Sequence, residues 1–391
     1  MGMGLLSAIR DADWLTFQRV RAYALMLGVA AFALLAMAWI EATGETGSDF
    51  LAFWGAGKIA AGGDPALVYD LAVQERVQTA TASRGWFAFV NPPPFLFLAA
   101  PFGLLPFPLA WIAWVAVGYA VFVWAGIRAF PRLWPLVLVY PGALIAATHA
   151  QTGLFVGALL IAAVHRLDSH PVRSGAMVGA LIVKPHLALL WPFWLAAGRR
   201  WRAFAAAAVC VLALILVSWA VFGTATWLGY RESWDASADL MRRDAAEFYL
   251  RMVSLYAQAR LYLAHPVALG LAVLLTLATI ALAIRSWERF AGDARASGAL
   301  LLAASALASP YLFSYDLPFL LFPTLWLVEQ GRRHGFRPFE KLALVGLYFA
   351  PFALRAAALP LGLNLMPSAS PVLVWLVWSR GRREPDMRSE G

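Results

Sequence analysis

Long apolar runs separated by short polar breaks recur from Tyr23 to Trp378. Candidate membrane segments fall near 22–41, 108–127, 134–148, 153–165, 174–183, 187–198, 203–222, 265–284, 297–313, 317–330, 342–358 and 369–379. Several are shorter than the roughly 20 residues that cross a bilayer, so they are expected to be tilted, broken or shielded by neighbours. The pattern predicts an all-α, polytopic integral membrane helix bundle of about 10 to 13 crossings. It forms a single transmembrane domain over 1–380, with a basic cytoplasmic tail over 381–391. The first run follows Arg10, Arg19 and Arg21 and is longer than a secretory h-region, so it reads as an uncleaved signal anchor.

The breaks carry their own predictions. Pro92-Pro93-Pro94 through Pro101 to Pro106 is expected to form a re-entrant or interfacial helix, because a full crossing there would put the later basic loops on the other side. Two polar stretches, 41–94 and 223–264, are read as the first and second outer loops. In the first, Ser48 caps a helix that runs to Ala61 and stops at Gly62-Gly63. Asp64-Pro65 opens another run, to Thr81, in which Leu67, Leu71 and Val77 alternate with Gln74, Glu75, Arg76 and Gln78. That mixture predicts an amphipathic interfacial helix.

Composition sharpens the solvent assignment. Only 14% of the residues are charged and 62% are apolar, against roughly 25% charged in a soluble domain. The net charge of +9 is scattered in small clusters between apolar runs. It therefore reads as topology signal and membrane-lipid contact, with no nucleic-acid footprint. Clusters around Arg128, Arg166, Arg199, Arg285, Arg332 and Arg380 are expected inside, which makes both termini cytoplasmic in a multi-pass inner (plasma) membrane protein. Cys210 is the only cysteine, which excludes an intrachain disulfide.

Soluble catalytic motifs are missing: there is no phosphate-binding glycine loop, His-Glu-x-x-His or Gly-x-Ser-x-Gly. Asp11 and Asp13 read as solvated charge. What remains is a set of polar residues at the expected outer ends of the apolar runs: Asp49, Tyr69-Asp70, His149-Ala150-Gln151-Thr152, Lys184-Pro185-His186, and Tyr311 leading to Tyr315-Asp316. Ionisable groups in apolar stretches are costly and are functional candidates. Each also has a structural reading. Asp49 can cap a helix, Lys184 can snorkel and Gln151 can join two helices. The arginines of 223–264 can pair with their acidic neighbours.

The order of these motifs is informative. Ser48-Asp49-Phe50, Gly63-Asp64-Pro65 with Tyr69-Asp70, and Asn91-Pro92-Pro93 followed by Pro101 and Pro106 come first. Gln151 before a span, Lys184-Pro185 and Arg199-Arg200-Trp201-Arg202 follow. Together, over roughly residues 20–320, they resemble the polytopic GT-C glycosyltransferases, specifically glycosyltransferase family 87, whose characterised members include a polyprenol-phosphate-mannose-dependent α-1,2-mannosyltransferase. The resemblance implies a GT-C-like membrane enzyme of the cell envelope. It would move a mannose-like hexose or a pentose from a polyprenyl-phosphate donor to a lipid or glycan acceptor on the periplasmic side, with inversion. It also implies that Asp49 is the catalytic base. The candidates for binding substrate or donor phosphate are Lys184, Gln151, Tyr69, His149, His186 and Asp316, and nothing visible calls for a metal or cofactor. A multi-span transporter or lipid flippase is the alternative from another class. It would favour repeated halves and mid-membrane ionisable residues, and neither is apparent.

Overall fold

The computed structural model describes residues 2–242 and 246–381. Its helices, in chain order, are α1 (Gly2–Asp11), α2 (Phe17–Thr43), α3 (Phe50–Ala61), α4 (Leu71–Thr79), α5 (Leu96–Gly103), α6 (Phe107–Ala129), α7 (Trp134–Leu138), α8 (Pro141–Thr148), α9 (Gly153–Arg166) and α10 (Pro171–Gly179). There follow α11 (Trp191–Ala197), α12 (Trp201–Arg242), α13 (Ala246–Arg251), α14 (Leu255–Arg260), α15 (His265–Arg289), α16 (Ala294–Ala308), α17 (Leu321–His334), α18 (Glu340–Leu361) and α19 (Met366–Arg380). Short 3-10 turns join several of them. There is no strand among the described residues, only an isolated antiparallel bridge between Met252 and Phe313. Arg243, Asp244, Arg382, Arg383 and Arg388 lie outside the described residues, as do the side chains of Asp235, Asp239 and Arg242.

The helices divide into two kinds. Five, namely α2, α6, α12 as far as Trp234, α15 and α18, are long and apolar enough to cross a membrane. They carry much of the exposed apolar surface: Phe32 on α2, Val209 on α12 and Leu274 on α15 are 77%, 65% and 65% exposed. Such surface belongs in lipid. The shorter apolar helices lie inside. Almost every residue of α16 is buried although it has only 15 residues. A helix whose ends are covered by protein does not need the full bilayer thickness. The structure thus has five self-sufficient spans among the described residues where the apolar runs predicted about 10 to 13 crossings. Prolines at 135, 141, 171, 185 and 192 each sit near the start of a short helix or turn, and so break the expected segments into pieces.

The first polar stretch is folded into this bundle. Helix α3 is buried along most of its length and lies against α5 by backbone contact. A Cβ on Gly57 would stand 2.3 Å from the carbonyl oxygen of Ala99, and one on Gly103 would stand 2.2 Å from the backbone of Gly57. With 8 residues, α5 is only about 12 Å long and cannot cross a bilayer. Helix α4 buries its glutamines rather than its leucine. Gln74 donates to the Val68 carbonyl at 2.8 Å and accepts from the Phe89 amide at 2.6 Å, and Gln78 makes the same pair of bonds to Phe87 at 2.9 Å. Leu71 is exposed. The backbone between Gly85 and Val90 has no regular structure of its own, so these two side-chain amides supply the partners that its buried polar groups need.

The chain returns repeatedly to the same two ends. Helix α8 ends and α9 begins at one end, to which α16 also runs. The other end holds the basic clusters, whose charges are paired there: Arg200 with Asp168 at 2.9 Å, Arg295 with Glu329 at 2.9 Å, and Lys341 with Asp13 at 3.1 Å. Helix α12 breaks at Gly223, where φ is +81°. Beyond the break it packs on the Pro65–Tyr69 turn, bringing Gly229 against Tyr69.

Candidate active site

Asp49 stands at the start of α3, yet it does not cap the helix. Its side chain makes no cap hydrogen bond, and the Phe50 amide instead donates to Ser48 Oγ at 3.3 Å. Asp49 Oδ2 accepts from Gln151 Nε2 at 2.9 Å, across 102 positions of chain. Phe50, the next residue, anchors this arrangement by packing its buried ring 5.2 Å from that of Trp114 on α6. The expectation that helix-start amides hold the Asp49 carboxylate is therefore replaced by a side-chain amide from another helix junction.

Gln151 owes its position to the break between α8 and α9. There the Gln151 amide donates to Ala146 O and the Ala150 amide to Ala147 O, both at 2.9 Å. This is a helix-closing pattern that ordinarily uses glycine in the left-handed region. Ala150 takes that conformation with φ +45°, at a cost of roughly 1–2 kcal/mol for an L-residue. Gly153 then opens α9 in contact with the Ser314–Leu320 turn. A Cβ on Gly153 would fall 1.7 Å from the Tyr315 carbonyl oxygen, and one on Gly157 would fall 2.9 Å from Pro318 Cβ. The two glycines let the turn carrying Asp316 approach the Gln151-Thr152 corner.

Asp316 is fully buried. Its Oδ2 accepts from the Phe313 amide at 3.1 Å, and its Oδ1 forms an ion pair with Lys184 Nζ. Lys184 is 9% exposed. Its Nζ also donates to Thr152 Oγ1 at 3.2 Å and lies 5.2 Å from the centre of the Tyr315 ring. Lys184 therefore points into the protein, where its charge is met by Asp316, rather than outward as a snorkelling or freely exposed cation. A buried pair of this kind is satisfied only when the remaining donors also find partners, and Thr152 supplies one.

The two histidines sit at the edges of the cluster. His186 packs edge-on to Tyr311 at 5.8 Å and its buried Nε2 has no hydrogen-bond partner. Burial, with the nearby Lys184 charge and against the pull of Asp316, lowers its pKa to about 4. The ring is thus neutral at pH 7. His149 Nδ1 lies 3.0 Å from the Ile145 carbonyl. Because a carbonyl only accepts, Nδ1 carries a proton. Its ring lies 6.1 Å from that of Tyr315. Tyr69 stands apart from this group. Its hydroxyl donates to Asn91 O at 2.7 Å, and Asn91 Nδ2 donates to Val183 O at 3.3 Å. It braces the chain just before Lys184.

Two arginines join the site that the motif order did not single out. Arg355 lies on α18 within electrostatic reach of Asp49, Tyr315 and Arg251. Arg251 ends α13, next to the Met252–Phe313 bridge, where the Val253 amide also donates to Leu312 O at 2.8 Å. Arg251 was expected to pair with acidic neighbours in its own loop, but neither arginine makes a hydrogen bond or ion pair among the described residues. The sequence did hold a signal for one of them, since Arg355 is the only charged residue between Lys341 and Arg380. No group of three metal-ligating side chains forms among the described residues.

The structure is thus a polytopic helical membrane protein that gathers, at one end, a carboxylate held by an amide above a buried ion pair. A family model described as glycosyltransferase family 87 matches residues 89–310, more than half of the chain, and the chain belongs to that family. It is a membrane glycosyltransferase. No curated protein and no solved structure matches it. Gln151, Lys184 and Arg251 lie within the matched region, whereas Asp49, Asp316 and Arg355 lie outside it.

Proposed function

We propose that the enzyme transfers a sugar, a mannose-like hexose or a pentose, from a polyprenyl-phosphate donor to a lipid or glycan acceptor, with Asp49 as the general base. The observation that carries this reading is the state of the Asp49 carboxylate. It is freed from capping, held through Oδ2 by Gln151, and has Oδ1 without a hydrogen bond among the described residues. The acceptor hydroxyl gives its proton to Oδ1 while its oxygen forms the new bond to the sugar C1. The bond from C1 to the phosphate oxygen breaks, its electron pair leaves with the polyprenyl phosphate, and C1 inverts. Gln151 fixes the base in place, which is the orienting contribution expected of a positioned catalytic group. The Lys184–Asp316 pair and Thr152 support the corner from which Gln151 reaches. His186 acts as a neutral hydrogen-bonding group and His149 as a second hydrogen-bonding group at the edges, and Tyr69 braces the wall.

The separation of charge along the bundle supports a periplasmic active site. The paired basic clusters gather at the end opposite Asp49, and Lys and Arg favour the cytoplasmic side. The test is incubation of the purified protein with membrane lipid extract and a panel of radiolabelled sugar donors. Label is expected to pass to product from a polyprenyl-phosphate sugar. Transfer from nucleotide sugars alone would overturn the reading.

A further inference from the structure

Arg355 and Arg251 present an electrostatic problem that the protein does not solve by itself. Arg355 is half-buried in an apolar helix with no ion pair among the described residues, and Arg251 lies near enough for the two like charges to repel. Neither of the two carboxylates of the site makes an ion pair with them among the described residues. Asp316 is neutralised by Lys184, and Asp49 is held by Gln151 with no salt bridge to either arginine among the described residues. Two positive charges therefore lie within electrostatic reach of the Asp49 carboxylate without an ion pair to it. An uncompensated cation in an apolar span destabilises the protein until an anion meets it.

The elements that carry them make the pairing durable. Helix α13 packs on α18, and Asn364, just beyond α18, donates through its side chain to Met252 O and through its backbone amide to Gln258 Oε1 at 3.0 Å. The Met252–Phe313 bridge ties the same corner to the turn that carries Tyr315 and Asp316. From this arrangement we infer that Arg251 and Arg355 together bind the phosphate of the donor, closing on it from α13 and α18. The inference rests on the glycosyl-transfer reading above and deepens it. A guanidinium matches phosphate oxygens in a two-bond fork. As the C1 to oxygen bond breaks, the leaving phosphate gains a second negative charge, so two cations contribute more to the transition state than to the bound donor.

The test measures binding of a short-chain polyprenyl monophosphate, the matching polyprenol and inorganic phosphate to full-length protein in lipid nanodiscs. The variants are Arg251→Gln, Arg355→Gln and Arg355→Met. The wild type should bind the polyprenyl phosphate, with each Gln variant weakening it at least tenfold and the phosphate-free polyprenol unaffected by either. Saturation by inorganic phosphate at equal affinity would mean that the ligand is a free phosphate and overturn the lipid assignment. Arg355→Met separates binding from folding, because removing an uncompensated charge from an apolar span should leave the melting temperature unchanged or raised. A lowered melting temperature, or affinity within twofold of wild type in the Gln variants, overturns the inference. Asp49→Asn in the same assay should keep wild-type affinity. If the Gln variants bind normally while the wild type still transfers label, the clamp is refuted and the glycosyl-transfer reading stands.

Discussion

The two ends of the bundle treat cations differently. At the basic end several are matched within the protein: Arg380 donates to Glu340 at 2.9 Å through Nε, Arg333 pairs with Glu329 at 2.8 Å, and Arg295 meets the same Glu329. At the other end Lys184 is matched by Asp316 in the interior, while Arg251 and Arg355 have no ion pair among the described residues. Internal pairing stabilises a structure and leaves nothing for a ligand. Charge left unmatched beside a base is what an anionic substrate requires, so the difference separates cations that hold the bundle from cations that serve the reaction.

The sharpest way to break that comparison is to remove Lys184. If it belongs with the structural cations, Lys184→Met leaves a buried, unpaired Asp316 and should lower stability by roughly 3–5 kcal/mol. The double variant Lys184→Met, Asp316→Leu should recover much of it, as read by thermal unfolding in detergent. A Lys184→Met protein that melts like the wild type but binds donor phosphate at least tenfold more weakly would move Lys184 into the substrate-binding set. Gly153→Ala comes next. Its methyl would overlap the Tyr315 carbonyl, and overpacking of this kind typically costs about 1–3 kcal/mol. It should also reduce transfer, because it pushes the Asp316 turn away from Thr152; unchanged stability would show that the turn gives way freely. The smallest effect is expected at the basic end. Arg333→Ala removes an exposed pair one helical turn long and should change stability by only about 0.3–0.5 kcal/mol, with transfer unaffected.

Much of the site was legible as an ordered set of polar residues, because Asp49, Gln151, Lys184 and Asp316 each stand at or near the end of an apolar run. Their roles were less legible. Ser48 and Asp49 are both good caps, and only the structure shows that Ser48 takes the Phe50 amide and leaves Asp49 for Gln151. The proximity of Gln151 to the Asp316 turn depends on Gly153 and Gly157, whose significance appears only when the opposing backbone is known. Arg355 was the most visible signal passed over, a lone charge in an apolar run. Only five of the apolar runs form helices long enough to cross a membrane unaided among the described residues, for a physical reason. Hydrophobicity reports burial in lipid and burial in protein alike, and the inner helices such as α16 are apolar because they are covered by their neighbours.

The central claim is that Asp49 is the base and that its hydrogen bond to Gln151 positions it. Asp49→Asn keeps the size of the side chain and removes its ability to take a proton. The most direct measurement is the single-turnover rate of sugar transfer by Asp49→Asn under saturating donor, with donor affinity and melting temperature measured on the same preparation. The account predicts native folding, native donor binding and a rate reduced by at least about a hundredfold, within the usual span of general-base catalysis. A folded, donor-binding Asn variant that transfers sugar within about threefold of the wild-type rate would contradict it, being far less than the loss of a general base produces.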